Sequence, residues 1–366
     1  MFQRPTRLEI NISTLVNNYQ RICLHVHPRP VMAVLKANAY GHGLVSVARA
    51  LVERTSCRHI AVAYLDEALL LRKSGITVSI LVLGGIIGVR VPLFIEHNIS
   101  ITASSVDKLK IISEHAQKMN KEALVHLKID TGMERIGVHH YSSDLLFTTA
   151  KNAPMIQIEG VFSHFSHADS PMIEKTRHQL NSFLQALPPK QDLGMLHIAN
   201  SGAVLQYPET WLDMVRVGIA MYGLSPGPDI SLLNGLKPAM RWVSQIVYFK
   251  VVPKGATISY GGTWTASQQT RIVTIPVGYG DGYQRRMSGQ AQVLIRGKRY
   301  PVVGSICMDQ MMVDIGWDEA YNGEEVVLLG EQGKQRISVS EHARWSGTIN
   351  YEIICAINNR VPRVPF

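Results

Sequence analysis

Along the first two thirds of the chain, two hydrophobic patterns alternate. A short apolar run is followed by a longer segment whose apolar residues recur at helical spacing. The apolar runs are VMAVLK (31–36), HIAVAYL (59–65), SILVLGG (79–85), ISITASS (99–105), LVHLKID (124–130), IQIEGVFSHF (156–165), LGMLHIANS (193–201) and MVRVGIAMY (214–222). Between them lie segments such as DEALLLRKSG and VDKLKIISEHAQKMN, with polar flanks around an apolar stripe. Eight strand signals alternating with helices predict an α/β fold, a TIM-like (β/α)8 barrel. A doubly wound open sheet is the alternative, because it shares the alternation and differs by a strand or two.

Near residue 225 the pattern changes. SPGPD (225–229) is turn chemistry, and beyond it come WVSQIVYFKVV, TRIVTIPV, AQVLIRGKRYPVVG, MMVDIGW and EEVVLLG, β-rich runs parted by glycines. One helical patch, ISVSEHARWSGTINYEIICAI, lies close to the end. The organisation expected is a barrel over 1–230 and a mostly β domain over 231–366.

Composition adjusts this picture only slightly. The formal charge of +9 makes the surface basic, yet the lysines and arginines are scattered, with no run of five. That fits a solvated surface with a few cations kept for an anionic ligand, not nucleic acid. Cys23, Cys57, Cys307 and Cys355 form no CxxC pair and no metal-ligand spacing, so reduced thiols in a cytoplasmic protein are expected. The N-terminus MFQRPTRLEINIS is charged and lacks the apolar core of a secretory signal. The uncharged window Ser74 to Val89 is glycine-broken and too short for a convincing membrane span.

The stretch VMAVLKANAYGHG (31–43) places Lys36 on the face that Met32 and Val34 share if the run is a strand. A strand-end lysine can simply extend to water. It can also be a Schiff-base lysine, nucleophilic once desolvated or set beside other cations. In a barrel, functional groups gather at the C-terminal strand ends. Those ends carry Lys36, Lys128, Asp130, His164, Asn200, Ser201, Arg216, Gly218 and Ile219. Ser201 and Gly218–Ile219 follow the last two strands, where barrels commonly hold phosphate. A lysine and a phosphate site together point to pyridoxal 5′-phosphate (PLP).

At these residues the chain resembles the alanine racemases, barrel-type PLP enzymes. VMAVLKANAYGHG is similar to their PLP-lysine signature, and RPTRLEINISTLVNNY, HLKIDTGMERIGV, GVFSHFSHAD, HIANSGA and VRVGIAMYG to their barrel motifs. ISYGGTW, VGYGDGY, GSICMDQMMVDI and GTINYEI extend the likeness through the second domain. The resemblance makes Lys36 the aldimine lysine and one catalytic base, and Tyr260 the other. It assigns Tyr40, Ser201, Gly218, Ile219 and Tyr351 to the phosphate, with Asn200 beside them. Arg216 faces the pyridine nitrogen, and His164 links Arg216 to Tyr260. Arg135 and the Met308 N–H meet the substrate carboxylate, while Tyr279, Cys307 and Asp309 line the entrance or pocket. Lys128 matches a lysine often found as a carbamate. The resemblance also implies a homodimer whose β domain completes the partner's site, with D-alanine for peptidoglycan as the product.

Racemisation withdraws the α-proton from one face and returns it to the other, so two bases on opposite faces suit it. Lysine and tyrosine ordinarily titrate near ~10, so either needs cationic neighbours to act near neutrality. An arginine at the pyridine nitrogen donates hydrogen bonds without protonating the ring, which favours quick reprotonation over side reactions. A broad-specificity racemase would share every motif. A barrel-type decarboxylase would be expected to carry an acid where Arg216 stands, and a non-catalytic PLP-binding barrel to end near residue 230. Alone, Tyr260 and Tyr279 in glycine-rich β segments read more readily as packing than as catalytic, Tyr351 on a helix face as core and Met308 beside Met311 and Met312 as packing, with His42, His139, His140 and His167 structural or exposed.

Overall fold

The computed structural model describes residues 4–170, 172–189 and 193–366. It forms two compact units: Thr14–Lys237, and the chain's first residues through Ser13 together with Pro238–Phe366.

In the first unit all eight apolar runs contain a strand: Val31–Val34, His59–Val62, Ser79–Val82, Ser100–Ala103, Ala123–Asp130, Ile156–Phe162, Met195–His197 and Val215–Val217. They pair in parallel in chain order, and the eighth returns to pair with the first, Arg216 opposite Met32. Backbone bonds from Asp213 to Leu196 and from Arg216 to Ala199, both 3.1 Å, bridge the seam between the seventh and eighth strands. The result is a nearly closed barrel. Burial on both faces explains why the strands read as continuous apolar runs; Val31–Val34 is buried throughout. Intervening helices form where the spacing predicts them. Val106–Met119 starts at Ser105, whose hydroxyl accepts the Lys108 N–H, and ends at Asn120 in the left-handed region.

One irregularity sits between the fifth and sixth strands. Val125 pairs with Ile158 but His126 with Gly160, so Glu159 is the extra residue of a bulge. Gly160 is required there: a Cβ would fall 2.7 Å from His126 Nδ1 and 2.5 Å from the Met195 carbonyl oxygen.

The second unit is mostly β. Its long sheet runs Tyr248–Val252, Thr270–Ile275, Met311–Asp314, Lys298–Val303, Gln292–Ile295, Glu325–Gln332, Met240–Gln245, Arg7–Ile10 and Arg363–Pro365. The predicted helical patch is two helices, Val339–Ser346 and Asn350–Ala356. The expected boundaries shift at both ends. Arg7–Ile10 pairs with Met240–Gln245 and with Arg363–Pro365, so the first residues belong to the β unit instead of the barrel. At the other end, Asn18 bonds the Lys237 N–H and carbonyl at 3.0 and 2.8 Å, which carries the barrel unit past 230.

Among the described residues no helix is long and apolar enough to cross a membrane, and no cluster could hold a metal ion. All four cysteines are thiols.

Gly194, just before the seventh strand, has φ +65° and would place a Cβ 2.3 Å from the Glu159 carbonyl oxygen. Gly194→Ala is expected to destabilise the barrel by about 2–4 kcal/mol, read as a lower urea midpoint at unchanged slope.

Candidate active site

Lys36 stands where the first strand ends, and the chain behind it turns the wrong way. Ala37, Asn38, Ala39 and Tyr40 all have φ between 52 and 56°, a left-handed turn built without glycine. Such a conformation costs an L-residue roughly 1–2 kcal/mol. Several hydrogen bonds hold it. The Ala39 and Gly41 N–H groups donate to Leu35 and Ala37 at 2.7 and 3.0 Å. The Glu67 carboxylate accepts from Ala63 and Asn38 at 2.9 and 3.4 Å, and Asn38 Oδ1 accepts from the Leu44 N–H at 2.8 Å. The turn leaves Lys36 on the wall of a cavity of about 300 Å³ that Tyr64, Gly84 and Arg135 also line.

Tyr40, at the end of the turn, is buried and meets the last strand's loop. A Cβ on Gly218 would lie 2.4 Å from its hydroxyl, so only glycine permits the approach. The Ser201 hydroxyl accepts the Gly218 N–H at 3.0 Å and the Ala220 N–H at 3.5 Å. Tyr40, Ser201 and Gly218–Ile219 thus form a small polar cradle suited to a phosphate. Asn200 is next to it, but its side chain caps the following helix, Oδ1 accepting from Ala203 at 3.1 Å.

Deeper in the barrel, Arg216 is 3% exposed and bound to neutral acceptors. Nη1 donates to His197 Nδ1 and O at 2.8 and 3.0 Å; Nη2 donates to the carbonyls of Ser163 and Ile198 and to His164 Nδ1 at 2.8, 3.1 and 3.2 Å. Burial lowers Arg216 to about 9, so it stays charged near neutrality. His164 is held well below its usual range by burial first, and then by Arg216, Lys128, Arg135 and Lys36. Lys128 is buried, donates to the Ile129 carbonyl at 3.0 Å and sits over Phe162. Burial and then Arg216 bring it to about 7. The Asp130 carboxylate cannot answer all of this charge, since it accepts backbone N–H groups from Gly132 to Arg135 at 2.8–3.3 Å. Burial opposes its ionisation, yet those N–H groups and Lys128 hold it below the usual carboxylate range. The excess of cations suits an anion.

The remaining candidates lie in the β unit. Tyr260 is 73% exposed and is presented by a turn that includes Ser259 at φ 65° and Gly261 at φ 75°. The Ser259 hydroxyl anchors that turn on the Ser305 carbonyl at 2.6 Å and lies 3.4 Å from Cys307 Sγ. A cavity of about 610 Å³ includes Tyr260, Cys307, Gln310 and Tyr248 in its walls. Two neighbouring loops are locked together, with the Tyr279 and Gly280 N–H groups donating to Cys307 and Met308 carbonyls at 3.0 and 2.9 Å. Buried Asp281 binds Arg4 and Arg360, and Arg360 reaches on to Asp309. Tyr351 lies on the helix Asn350–Ala356. The expected site residues therefore form two groups, one on each unit.

Family models cover both groups. "Alanine racemase, N-terminal domain" matches residues 10–226, and "Alanine racemase, C-terminal domain" matches 239–365. This chain belongs to the alanine racemase family. The alanine racemase of Desulforamulus reducens is 42% identical over 99% of both chains. A crystal structure of alanine racemase from Bacillus anthracis with bound L-Ala-P superposes with a TM-score of 0.94 at 37% identity, covering 100% of this chain and 96% of that one. Histidine racemase from Leuconostoc mesenteroides superposes at 0.93 with 29% identity, covering 100% and 99%. Both of the family's domains are thus matched in this chain.

Sequence reasoning passed over four side chains that shape the site: Asn38 and Glu67, which hold the left-handed turn, and His126 and His197 behind Arg216. The two histidines could have been noticed, because each follows an apolar stretch inside its strand. Among the histidines read as structural or exposed, His42 is buried against Tyr222, its ring centroid 4.5 Å away, while His139 pairs with Glu134 near the surface.

An exposed Ala→Gly change in a right-handed helix costs about 1 kcal/mol. Ala37 is exposed with φ 54°, so Ala37→Gly is expected to be neutral to slightly stabilising, read by denaturant unfolding.

Proposed function

We propose that this chain is a PLP-dependent alanine racemase that interconverts L- and D-alanine by two bases, Lys36 and Tyr260, and supplies D-alanine for peptidoglycan. The observation that carries the reading is Arg216, a buried guanidinium on neutral acceptors at the position where a decarboxylase would be expected to present an acid. When bound, PLP supplies the electron sink that makes an amino acid's α-proton removable.

The residues fit that cofactor. Lys36 is its covalent anchor, and Tyr40, Ser201, Gly218, Ile219 and Tyr351 take the phosphate, with Asn200 fixing the helix that starts at Ser201. Both terminal nitrogens of Arg216 are committed to the protein, which leaves Nε to donate to the ring nitrogen. That donor keeps its proton near neutrality, so Arg216 would hydrogen-bond the ring nitrogen without protonating it. His164 accepts from Arg216 at Nδ1, so its proton sits on Nε2, able to donate to a tyrosinate and ease its formation. Arg135 and the Met308 N–H hold the substrate carboxylate, while Tyr279, Cys307 and Asp309 shape the entrance.

The working form is a cytoplasmic homodimer in which each β unit completes the partner's barrel. Two features support this reading. Tyr260 and Met308 are largely exposed, and the sheet-edge strand Tyr248–Val252 bares Tyr248, Phe249 and Val251.

D-Alanine formation by the purified protein, followed beside the visible absorbance of bound PLP, tests the reading. Lys36→Ala should lose both. Tyr260→Phe should keep the absorbance but slow racemisation severely, and unequally for the two enantiomers. Wild-type rates in both directions would exclude Tyr260 as a base. Repeating the assay with histidine measures breadth.

Lys128 is proposed to carry a carbamate that orients Arg135. Its neutral amine attacks carbon dioxide, the N–C bond forms and a proton leaves. Because Lys128 titrates near 7, the reactive amine predominates above that pH and the inert ammonium below it. A 13C carbamate signal from labelled bicarbonate is expected at mildly alkaline pH. It should fade as pH falls through about 7 and be absent in Lys128→Ala.

A further inference from the structure

Behind Arg216 the barrel interior contains polar side chains that none of the steps above uses. His197 ends the seventh strand and His126 lies within the fifth, at 0% and 3% exposure. Glu159 is the bulge residue of the sixth strand, and Ser100 opens the fourth. They stand in a line. Arg216 Nη1 is 2.8 Å from His197 Nδ1, and His197 Nε2 is 2.9 Å from His126 Nδ1. His126 Nε2 is 3.7 Å from Glu159 Oε2, which also accepts the Ser100 hydroxyl.

Donor chemistry gives this line a direction. A guanidinium has only donors, so His197 Nδ1 must accept and its proton sits on Nε2. That Nε2–H donates to His126 Nδ1, which puts the second ring's proton on Nε2 as well, facing Glu159. The link to Glu159 is longer than a hydrogen bond and is electrostatic. Both rings must be neutral for this to hold. Burial first, and then neighbouring positive groups including Arg216, lower His126 to about 3 and His197 well below its usual range. The surroundings are built for the line. Gly160 leaves the space His126 Nδ1 needs, and Phe162 stacks flat on His197 with centroids 5.0 Å apart.

We propose that His197, His126 and Glu159 are positioning residues, a one-way relay of donors from Arg216 to a distant carboxylate that fixes both imidazoles as Nε2–H tautomers. The relay holds the guanidinium charged and aimed while keeping the acid two rings away from it. A carboxylate directly on Arg216 would bind it more strongly but would pull the fork toward itself. Neutral imidazoles orient it without that competition, and each bond polarises the next. The consequence for the ring nitrogen rests on the function proposed above; the tautomers do not.

The first test is the 15N spectrum of wild-type holoenzyme labelled only at histidine, recorded without substrate. His126 and His197 should both show bare Nδ1 and protonated Nε2 across about pH 5 to 8, the range where free histidine would titrate. An Nδ1–H tautomer or an imidazolium at either ring overturns the relay, whatever the enzyme racemises. The second test uses His126→Phe, which leaves the His197 Nε2–H without its acceptor. The His197 resonances should shift, and kcat should fall on the order of tenfold with little change in KM. His126→Asn, whose amide oxygen can stand near the lost Nδ1, should restore much of kcat. An unshifted His197 together with wild-type kcat in His126→Phe would overturn the proposal. If His126→Phe does not fold, the wild-type spectrum decides.

Discussion

A buried guanidinium has to satisfy its terminal donors, and in the barrel that requirement draws three strand ends together. Arg216 on the eighth strand takes carbonyls from Ser163, His197 and Ile198 and ring nitrogens from His164 and His197. These bonds span the sixth, seventh and eighth strands, including the seam where regular ladder pairing lapses. Leaving one such donor unmade costs about 1–3 kcal/mol, so the constraint stabilises the seam as well as placing the charge. The same charge then acts on its neighbours, helping to keep His164 and His197 neutral and Lys128 near neutrality.

The chemistry is positioned by local strain and close approach. The turn after Lys36 occupies a conformation its residues resist, and Glu67 and Asn38 hold it there. Gly218 admits the Tyr40 hydroxyl, and Gly278 lets the Tyr279 loop pass within 2.1 Å of the Cys307 carbonyl, measured from where a Cβ would sit. Rigid placement of this kind suits a reaction in which a proton must leave and return at one carbon.

Much of this was legible from the sequence, because parallel strands buried on both faces leave an unmistakable series of apolar runs. All eight were located, and of the polar residues at their ends Arg216 meets His164 and Ser201 meets Gly218. What escaped notice depends on contacts distant in sequence. Arg7–Ile10 pairs with Met240–Gln245, more than two hundred residues away, and no local pattern announces that. The left-handed turn escaped because KANAY contains no glycine to signal positive φ. His126 and Glu159 escaped because one bulge and one glycine create their space, and neither is visible as a period.

The turn behind Lys36 also bears on how such a site could be moved elsewhere. A designer who copied VMAVLKANAYGHG onto another parallel barrel would transplant the lysine but not its pose. The four residues from Ala37 to Tyr40 would relax toward the ordinary right-handed hand, swinging Tyr40 away from the loop at Gly218. The smallest portable module must also include Glu67 from the helix after the second strand and a glycine where Gly218 meets the tyrosine.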